Sequence, residues 1–381
     1  MDKHQKKILH LVEDLKVGGL ERVLESIVLS LDKSKYDVHV WCLVEGGDIA
    51  EELKEKGMPV RIIGKRSYFN FGNVLLLAYL FRRENFHIIH THGYFASTFG
   101  RLAAILAGVP VMITHVHSTY YEYGKRNLMI ERFLSFFTDN IICVSKAVQR
   151  FVVEREGIRE SRTSVIYNGI SLPWNGLPSK DRKAQRASEG VSSQDVVIIE
   201  VASLTANKGH HILLNACQQV YKKNPAIRLI IVGDGPLQST IQEEAKQLGM
   251  ESAVIFTGQR KNVYELLAMS DIFVLPSLIR EGLSIAMIEA MAMSLPVIGS
   301  NVGGIPELIE DRVSGFLVQP GDIDQLASII DSLATEQDLR EGMGKQGRRV
   351  FEERFTLTRM IKQIEVLYDH LLKNKVRVVR S

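Results

Sequence analysis

Short apolar runs recur along this chain, and helix-like segments separate most of them. In the first half the runs read KILHLVED, YDVHVWCLVE, PVRIIG, FHIIHTH, PVMITHVH, DNIICVS and RTSVIYNGI. From Ser171 to Asp195 the pattern breaks into LPWNGLPSKDRKAQRASEGVSSQ, rich in Pro, Gly, Ser and charge, which reads as a linker or surface excursion. The alternation then restarts with VVIIEVAS, HHILLNACQQVYKK, IRLIIVGDG, LQSTIQEEAKQLG, AVIFTG, NVYELLAMS, DIFVLPS, SIAMIEAMAM, PVIGSN, IPELIED and SGFLV. Strands buried on both faces read as continuous apolar runs, and such runs alternating with helices specify a parallel sheet covered by helices on both sides. The expected fold class is therefore α/β, with two doubly wound, Rossmann-like domains, residues 1–175 and 190–357, facing a cleft. Ligands of such sheets bind beyond the carboxyl ends of the strands.

At 381 residues the chain exceeds what one core usually serves, in keeping with two domains. Its formal net charge of +3 gives no general attraction for nucleic acid. Cys42, Cys143 and Cys217 are far apart, odd in number and set among apolar residues. They read as reduced core thiols of a cytoplasmic protein, without a metal spacing or a disulfide framework. The apolar run Ile8 to Val12 is too short for a signal sequence, and VLLLAYLF from Val74 is too short to span a bilayer. Contact with a membrane surface stays open. GKRSYFNFGNVLLLAYLFRRENF and STYYEYGKRNLMIERFLSFF mix basic, aromatic and apolar residues. They fit core helices with solvated loops, and they also fit contact with an anionic membrane or a lipid-linked acceptor.

The richest stretch is LPSLIREGLSIAMIEAM. A strand ends, a loop follows, and a helix begins near Ser284. Unpaired amides and partial positive charge at a helix start suit a phosphate, and Gly282 lets backbone approach a ligand. Glu281 precedes the helix and Glu289 lies inside it, among apolar residues nearly all round. Eight helical residues span up to roughly 12 Å, about the reach of a nucleotide sugar from hexose to ribose.

Histidines come in two pairs, His90 with His92 and His115 with His117. Alternate strand residues share a face, so each pair presents two imidazoles together. Neither strand carries an acid, and no metal is expected. The acids Asp322 to Asp324 read as a helix start. VGDGPL begins like a dinucleotide fingerprint but has Gln238 at the third glycine position, so it reads as a tight turn after a strand.

EGLSIAMIEAMAMSLPVIGSNVGGIPELI resembles the E-x7-E segment of retaining, GT-B-fold glycosyltransferases of family 4. KVGGLERV, VHST, VIYNGI, TANKGH, VGDGP, IFTG and GFLV follow the order of that family across both halves. The resemblance implies transfer of a hexose-type sugar from a nucleotide diphosphate, UDP by expectation, to a hydroxyl of a glycan or lipid-linked acceptor in bacterial surface polysaccharide or glycolipid synthesis. It implies no metal. Glu281 would hold the donor sugar, Gly282, Leu283 and Ser284 would offer amides, Glu289 would bind the ribose and Lys208 the pyrophosphate. Gly19 would sit in a loop closing over the donor. His117 would lie beside the reacting centre. His92, Tyr94, Tyr120 and Asn168 would lie on the acceptor side. The last helix, about 358–381, would cross back onto the first domain. One departure stands out: where the family commonly has an arginine, this chain has Ser203. Arg260 and Lys261 are candidate substitutes, in a loop that with Val263 would meet the base. Two other readings are weaker: a non-catalytic scaffold, opposed by the intact Glu281, Glu289, Lys208 and His117, and a dinucleotide oxidoreductase, opposed by the failed glycine fingerprint.

Overall fold

Each apolar run of the first half becomes a parallel strand in the computed structural model, which describes residues 5–64, 71–119, 123–172, 182–279 and 281–380. The chain separates into two compact units, one of residues 1–169 and 357–381, the other of residues 170–356.

The first unit runs β1 (Lys6–Val12), α1 (Gly19–Ser30), β2 (Tyr36–Cys42), α2 (Asp48–Glu55), β3 (Val60–Ile62), α3 (Phe71–Glu84), β4 (Ile88–His92), α4 (Tyr94–Ala107), β5 (Val111–Val116), α5 (Lys125–Ser135), β6 (Asn140–Cys143), α6 (Lys146–Arg150) and β7 (Thr163–Val165). Its sheet has seven strands in the order β3-β2-β1-β4-β5-β6-β7. Period-two alternation sorts the strand residues into two faces. Leu9, Leu11, Ile89 and Met112 pack with residues of α3 and α4 in one apolar core. The opposite face carries Ile8, His10, Ile88, His90, His92, Ile113 and His115, all buried.

The second unit runs α7 (Arg182–Ser188), β8 (Val196–Val201), α8 (His210–Tyr221), β9 (Ile227–Val232), α9 (Gln238–Gln247), β10 (Val254–Gly258), α10 (Tyr264–Met269), β11 (Ile272–Leu275), α11 (Ile285–Ala292), β12 (Val297–Ser300), β13 (Gly315–Val318), α12 (Ile323–Thr335) and α13 (Gln337–Arg354). Its six strands lie in the order β10-β9-β8-β11-β12-β13. Asp322 caps α12 by accepting from the Gln325 amide at 2.9 Å, so the DID run is a helix start.

The last helix, α14 (Leu357–Arg380), belongs to the first unit. There Glu365 accepts from the Asp32 amide and Asp369 from the Tyr36 hydroxyl, both at 2.9 Å. The break at 171–195 is not all linker, because α7 forms within it. Arg182 and Arg186, four apart on one helix face, both bond Asp271, at 2.7 and 2.6 Å. Buried Arg186 also donates to the Met269 and Asp195 carbonyls. A charged, polar run thus forms a docked helix because its guanidinium groups satisfy backbone carbonyls and a carboxylate. All three cysteines are buried and free.

Candidate active site

Both sheets reverse their winding once, between β1 and β4 and between β8 and β11. Loops leaving neighbouring strands there diverge and open a crevice at the carboxyl edge.

In the second unit, the loop after β8 carries Ser203 and Lys208, and the loop after β11 carries Ser277 and Glu281. The two loops are pinned together where the Leu278 amide donates to the Asn207 carbonyl at 2.8 Å. Gly209 holds φ +76°, and a Cβ there would lie 2.2 Å from the Pro276 carbonyl oxygen. Gly303 holds φ +54°, and a Cβ would lie 1.9 Å from the Glu281 carbonyl oxygen, which also accepts from the Gly304 amide. Only glycine fits either place, and the sequence NVGGIPE acquires its meaning as the wall behind Glu281.

The Glu281 carboxylate is buried and takes both Lys208 Nζ bonds, at 2.9 and 2.8 Å, with Ser277 Oγ donating at 3.2 Å. Beyond it, Gly282, Leu283 and Ser284 are buried. Ser284 caps α11 by accepting from the Met287 amide at 3.2 Å. Glu289, half-buried one turn further on, accepts from the Tyr264 phenol. Burial first, and the Glu289 charge second, push the Tyr264 pKa up. Val263 precedes Tyr264 as the residue before α10.

Arg260 and Lys261 are exposed in the loop after β10, with β9 between that strand and β8. Arg260 lies 3.7 Å from Glu189. Among the described residues no hydrogen bond or ion pair joins Arg260 to the Lys208–Glu281 pair. Ser203 is exposed, and its carbonyl accepts from His210 Nε2 at 3.1 Å. His210 Nδ1 meets the fully buried Glu200 at 2.7 Å. Burial alone would lower the His210 pKa, but the Glu200 carboxylate overrides it and the net shift is upward. Both His210 ring nitrogens thus face oxygen acceptors beneath the Ser203 loop, where the sequence lacks the arginine.

In the first unit, Gly19 is exposed at the start of α1. Glu21, half-buried two residues later, has a pKa raised to about 7 by burial. Strand register places His10 opposite His90 and His92 opposite His115, on one sheet face. With His117, just past β5, they form a layer of five imidazoles. Ring centroids are 4.2 Å apart for His115–His117, 4.4 Å for His90–His92 and 4.9 Å for His10–His90. His10 Nδ1 meets His92 Nε2 at 3.0 Å, and His92 Nδ1 meets His117 Nε2 at 3.2 Å. His90 Nδ1 meets the Tyr368 hydroxyl of α14 at 2.6 Å. Burial depresses the pKa of every member, His10 to about 3, and their mutual repulsion adds to it for His90, His92 and His115. The nitrogens of His10, His90 and His92, and those of His92, His115 and His117, lie within 4.8 Å of one another, a spacing a metal ion could bridge. Several of those nitrogens are spent on each other instead.

His92 has no exposed surface and bonds His117, which is half-buried. Tyr94 is half-buried at the start of α4, its ring tilted 52° against that of Tyr123 with centroids 4.5 Å apart. Asn168 is buried. Tyr120 lies outside the described residues. Sequence reasoning missed His10, Tyr368, Ser277, Tyr264 and the Glu200–His210 pair. The readable signals were polar residues inside apolar strands, His10 in KILHLV and Glu200 in VVIIEV.

Comparison with known proteins gives one answer for both units. Residues 17–173 match the model of Glycosyltransferase Family 4, and residues 181–350 match that of Glycosyl transferases group 1. The EpsF protein of Bacillus subtilis is 30% identical over 315 residues, covering 79% of this chain and 80% of that one. An Escherichia coli UDP-Gal:alpha-D-GlcNAc-diphosphoundecaprenol alpha-1,3-galactosyltransferase is 26% identical over 384 residues, 97% of this chain and 98% of that one. Among solved structures, Anabaena HepE in complex with UDP and glucose superposes with a TM-score of 0.85 at 25% identity, covering 96% of this chain and 100% of that one. The chain belongs to the group 1 glycosyltransferases of family 4 and has their GT-B fold.

Proposed function

We propose that this glycosyltransferase is a retaining enzyme that moves a hexose from a UDP sugar to a hydroxyl of a glycan or lipid-linked acceptor, in the assembly of a bacterial surface polysaccharide or glycolipid. The observation that carries the reading is the Lys208–Glu281–Ser277 cluster beside the start of α11, with Glu289 further along the same helix. An ammonium has three N–H donors. Two go to Glu281, and the third is available to a pyrophosphate oxygen. A carboxylate accepts at about four lone-pair sites. Three are used on Glu281, which leaves one for a sugar hydroxyl. Glu289 is spaced to take the ribose diol. The α11 amides and Lys208 supply the charge that a departing UDP needs, so the step calls for no metal. His117 in the first unit would stand beside the reacting sugar, with Tyr94 and Asn168 on the acceptor side. HepE's complex with UDP and glucose, and the UDP-Gal and diphosphoundecaprenol in the E. coli relative's name, support the donor and acceptor classes.

The lipid-linked class also fits the surface of the first unit. Phe71, Leu75 and Tyr79 on α3 and Met129, Phe133 and Phe136 at α5 are exposed apolar side chains. Arg82, Arg83, Lys125, Arg126 and Arg132 lie on the same two helices. No described helix is long and apolar enough to cross a membrane. We infer cytoplasmic placement with these helices resting on the anionic inner membrane face.

A thermal-shift screen of UDP, GDP and ADP sugars tests the donor, since a ligand of the folded state raises Tm by mass action. UDP hexoses should give the largest shift, and the anomeric configuration of the transferred sugar should match the donor's. No shift with any nucleotide sugar would contradict the reading, and an inverted product would contradict the retaining mechanism.

A further inference from the structure

The imidazole layer of the first unit is more than a packed patch, because its hydrogen bonds form a continuous path. Tyr368 Oη lies 2.6 Å from His90 Nδ1 and 3.4 Å from His10 Nε2. The path continues from His10 Nδ1 to His92 Nε2 at 3.0 Å and from His92 Nδ1 to His117 Nε2 at 3.2 Å. Tyr368 itself is fully buried, held edge-on by the Tyr36 ring at 5.8 Å.

We propose that Tyr368, acting through His10 and His92 as positioning residues, fixes the tautomer of His117 so that its Nδ1 is a bare acceptor for a substrate hydroxyl. A neutral imidazole has one N–H and one lone pair, so each hydrogen bond along the path decides the next. A phenol has one proton. The 2.6 Å contact has the length of a hydroxyl donor, so Tyr368 donates to His90 Nδ1. Its oxygen can then only accept from His10, which places the His10 proton on Nε2. His10 Nδ1 is bare and accepts from His92 Nε2–H. His92 Nδ1 is bare and accepts from His117 Nε2–H. His117 Nδ1 is left bare, and it is buried with no hydrogen-bond partner among the described residues. The reverse direction would require an unusually short N–H···O bond at Tyr368. Either direction leaves one buried ring N–H without a partner, at His90 Nε2 in the chosen one and at His117 Nδ1 in the reverse, so the short contact at Tyr368 decides between them.

Nδ1 is buried in the free protein, so a hydroxyl of the transferred sugar or the acceptor meets it only once the side chains over it move aside; a bare Nδ1 then accepts and cannot donate. This use of His117 rests on the proposed transferase site, but the tautomer can be read without any substrate. With 15N-histidine labelling, long-range proton–nitrogen spectra at pH 7 should show His117 as the Nε2–H tautomer, assigned by the peak lost in His117→Gln. Tyr368→Phe should bring in the Nδ1–H form. His10→Gln, which keeps one donor and one acceptor, should preserve the Nε2–H form, and His10→Leu should not. With UDP-hexose as donor, Tyr368→Phe should lower kcat/KM about 3- to 10-fold, as loss of the competent tautomer fraction requires. Absence of transfer with these spectra intact would remove the transferase reading and leave the tautomer assignment standing. An Nδ1–H His117 in the unaltered protein, a Tyr368→Phe spectrum without change, or one equivalent of zinc retained on these rings would overturn the proposal.

Discussion

The two units repeat one architecture and fill its key position with opposite chemistry. At the β8/β11 reversal the site is charged: Lys208 against Glu281, with the Glu200–His210 pair behind Ser203. At the β1/β4 reversal it is neutral: five imidazoles with depressed pKa values pack in one layer, His10, His92 and His117 bond in a chain, His90 bonds Tyr368, and His115 makes ring contacts alone. The fold supplies an open edge in both places. The side chains decide whether that edge suits an anion, as charge and helix amides do, or hydroxyls, as neutral donors and acceptors do. The division of labour proposed above, donor on the second unit and acceptor on the first, rests on that difference.

Acid should break this comparison most strongly. His10, His90, His92 and His115 are buried with folded pKa values below the ordinary value of 6.5. Such groups contribute stability that is present above 6.5 and lost as pH falls toward the folded pKa, because the unfolded chain binds more protons. Each can cost up to about 1.4 kcal/mol per pH unit. His210 runs the other way: its raised pKa gives stability that is full below 6.5 and lost as pH rises through the folded value. Between pH 7 and 5, hydrogen exchange corrected for intrinsic rate should accelerate in β1, β4 and β5 before β8 and β11. Acceleration in the reverse order would break the contrast.

Glu281→Ala should reduce hexose transfer on the order of 10²- to 10³-fold, the scale of losing an electrostatic contact at a reacting centre. Calorimetric UDP affinity should change little, and an equal loss of UDP affinity would move Glu281 from sugar to nucleotide. Glu289→Ala should weaken UDP roughly 10- to 100-fold, as a lost hydrogen bond to a charged group does, and unchanged affinity would exclude the ribose role. The smallest effect belongs to Ser203→Arg, which should tighten UDP-sugar binding a few-fold, since Ser203 is exposed and has room for a longer side chain. Weaker binding would show that the place is filled by another cation or shaped differently.

Much of this fold was legible because parallel strands announce themselves as apolar runs. The runs named in the first half are the seven strands of one sheet, and those of the second half supply the six of the other. Helix α7 was not legible, because what holds it is not an apolar stripe but Arg182 and Arg186 reaching Asp271, distant in sequence. The site divides in the same way. Glu281, Ser284 and Lys208 stand in local motifs, and the structure brings Lys208 to Glu281 by joining two loops at a sheet reversal. His10 and Tyr368 carry no local motif. Their meeting depends on parallel register between β1 and β4 and on α14 returning to the first unit, and neither is written within a few residues of either side chain.

The most direct test of the central claim is hydrogen exchange mapped with and without the nucleoside diphosphate that gives the largest thermal shift. The charged reversal of the second unit should hold that ligand, so exchange should slow at residues 203–209 and 281–289 and stay unchanged along β1 and β4. Protection confined to β1 and β4, with none at residues 203–209 and 281–289, would contradict it.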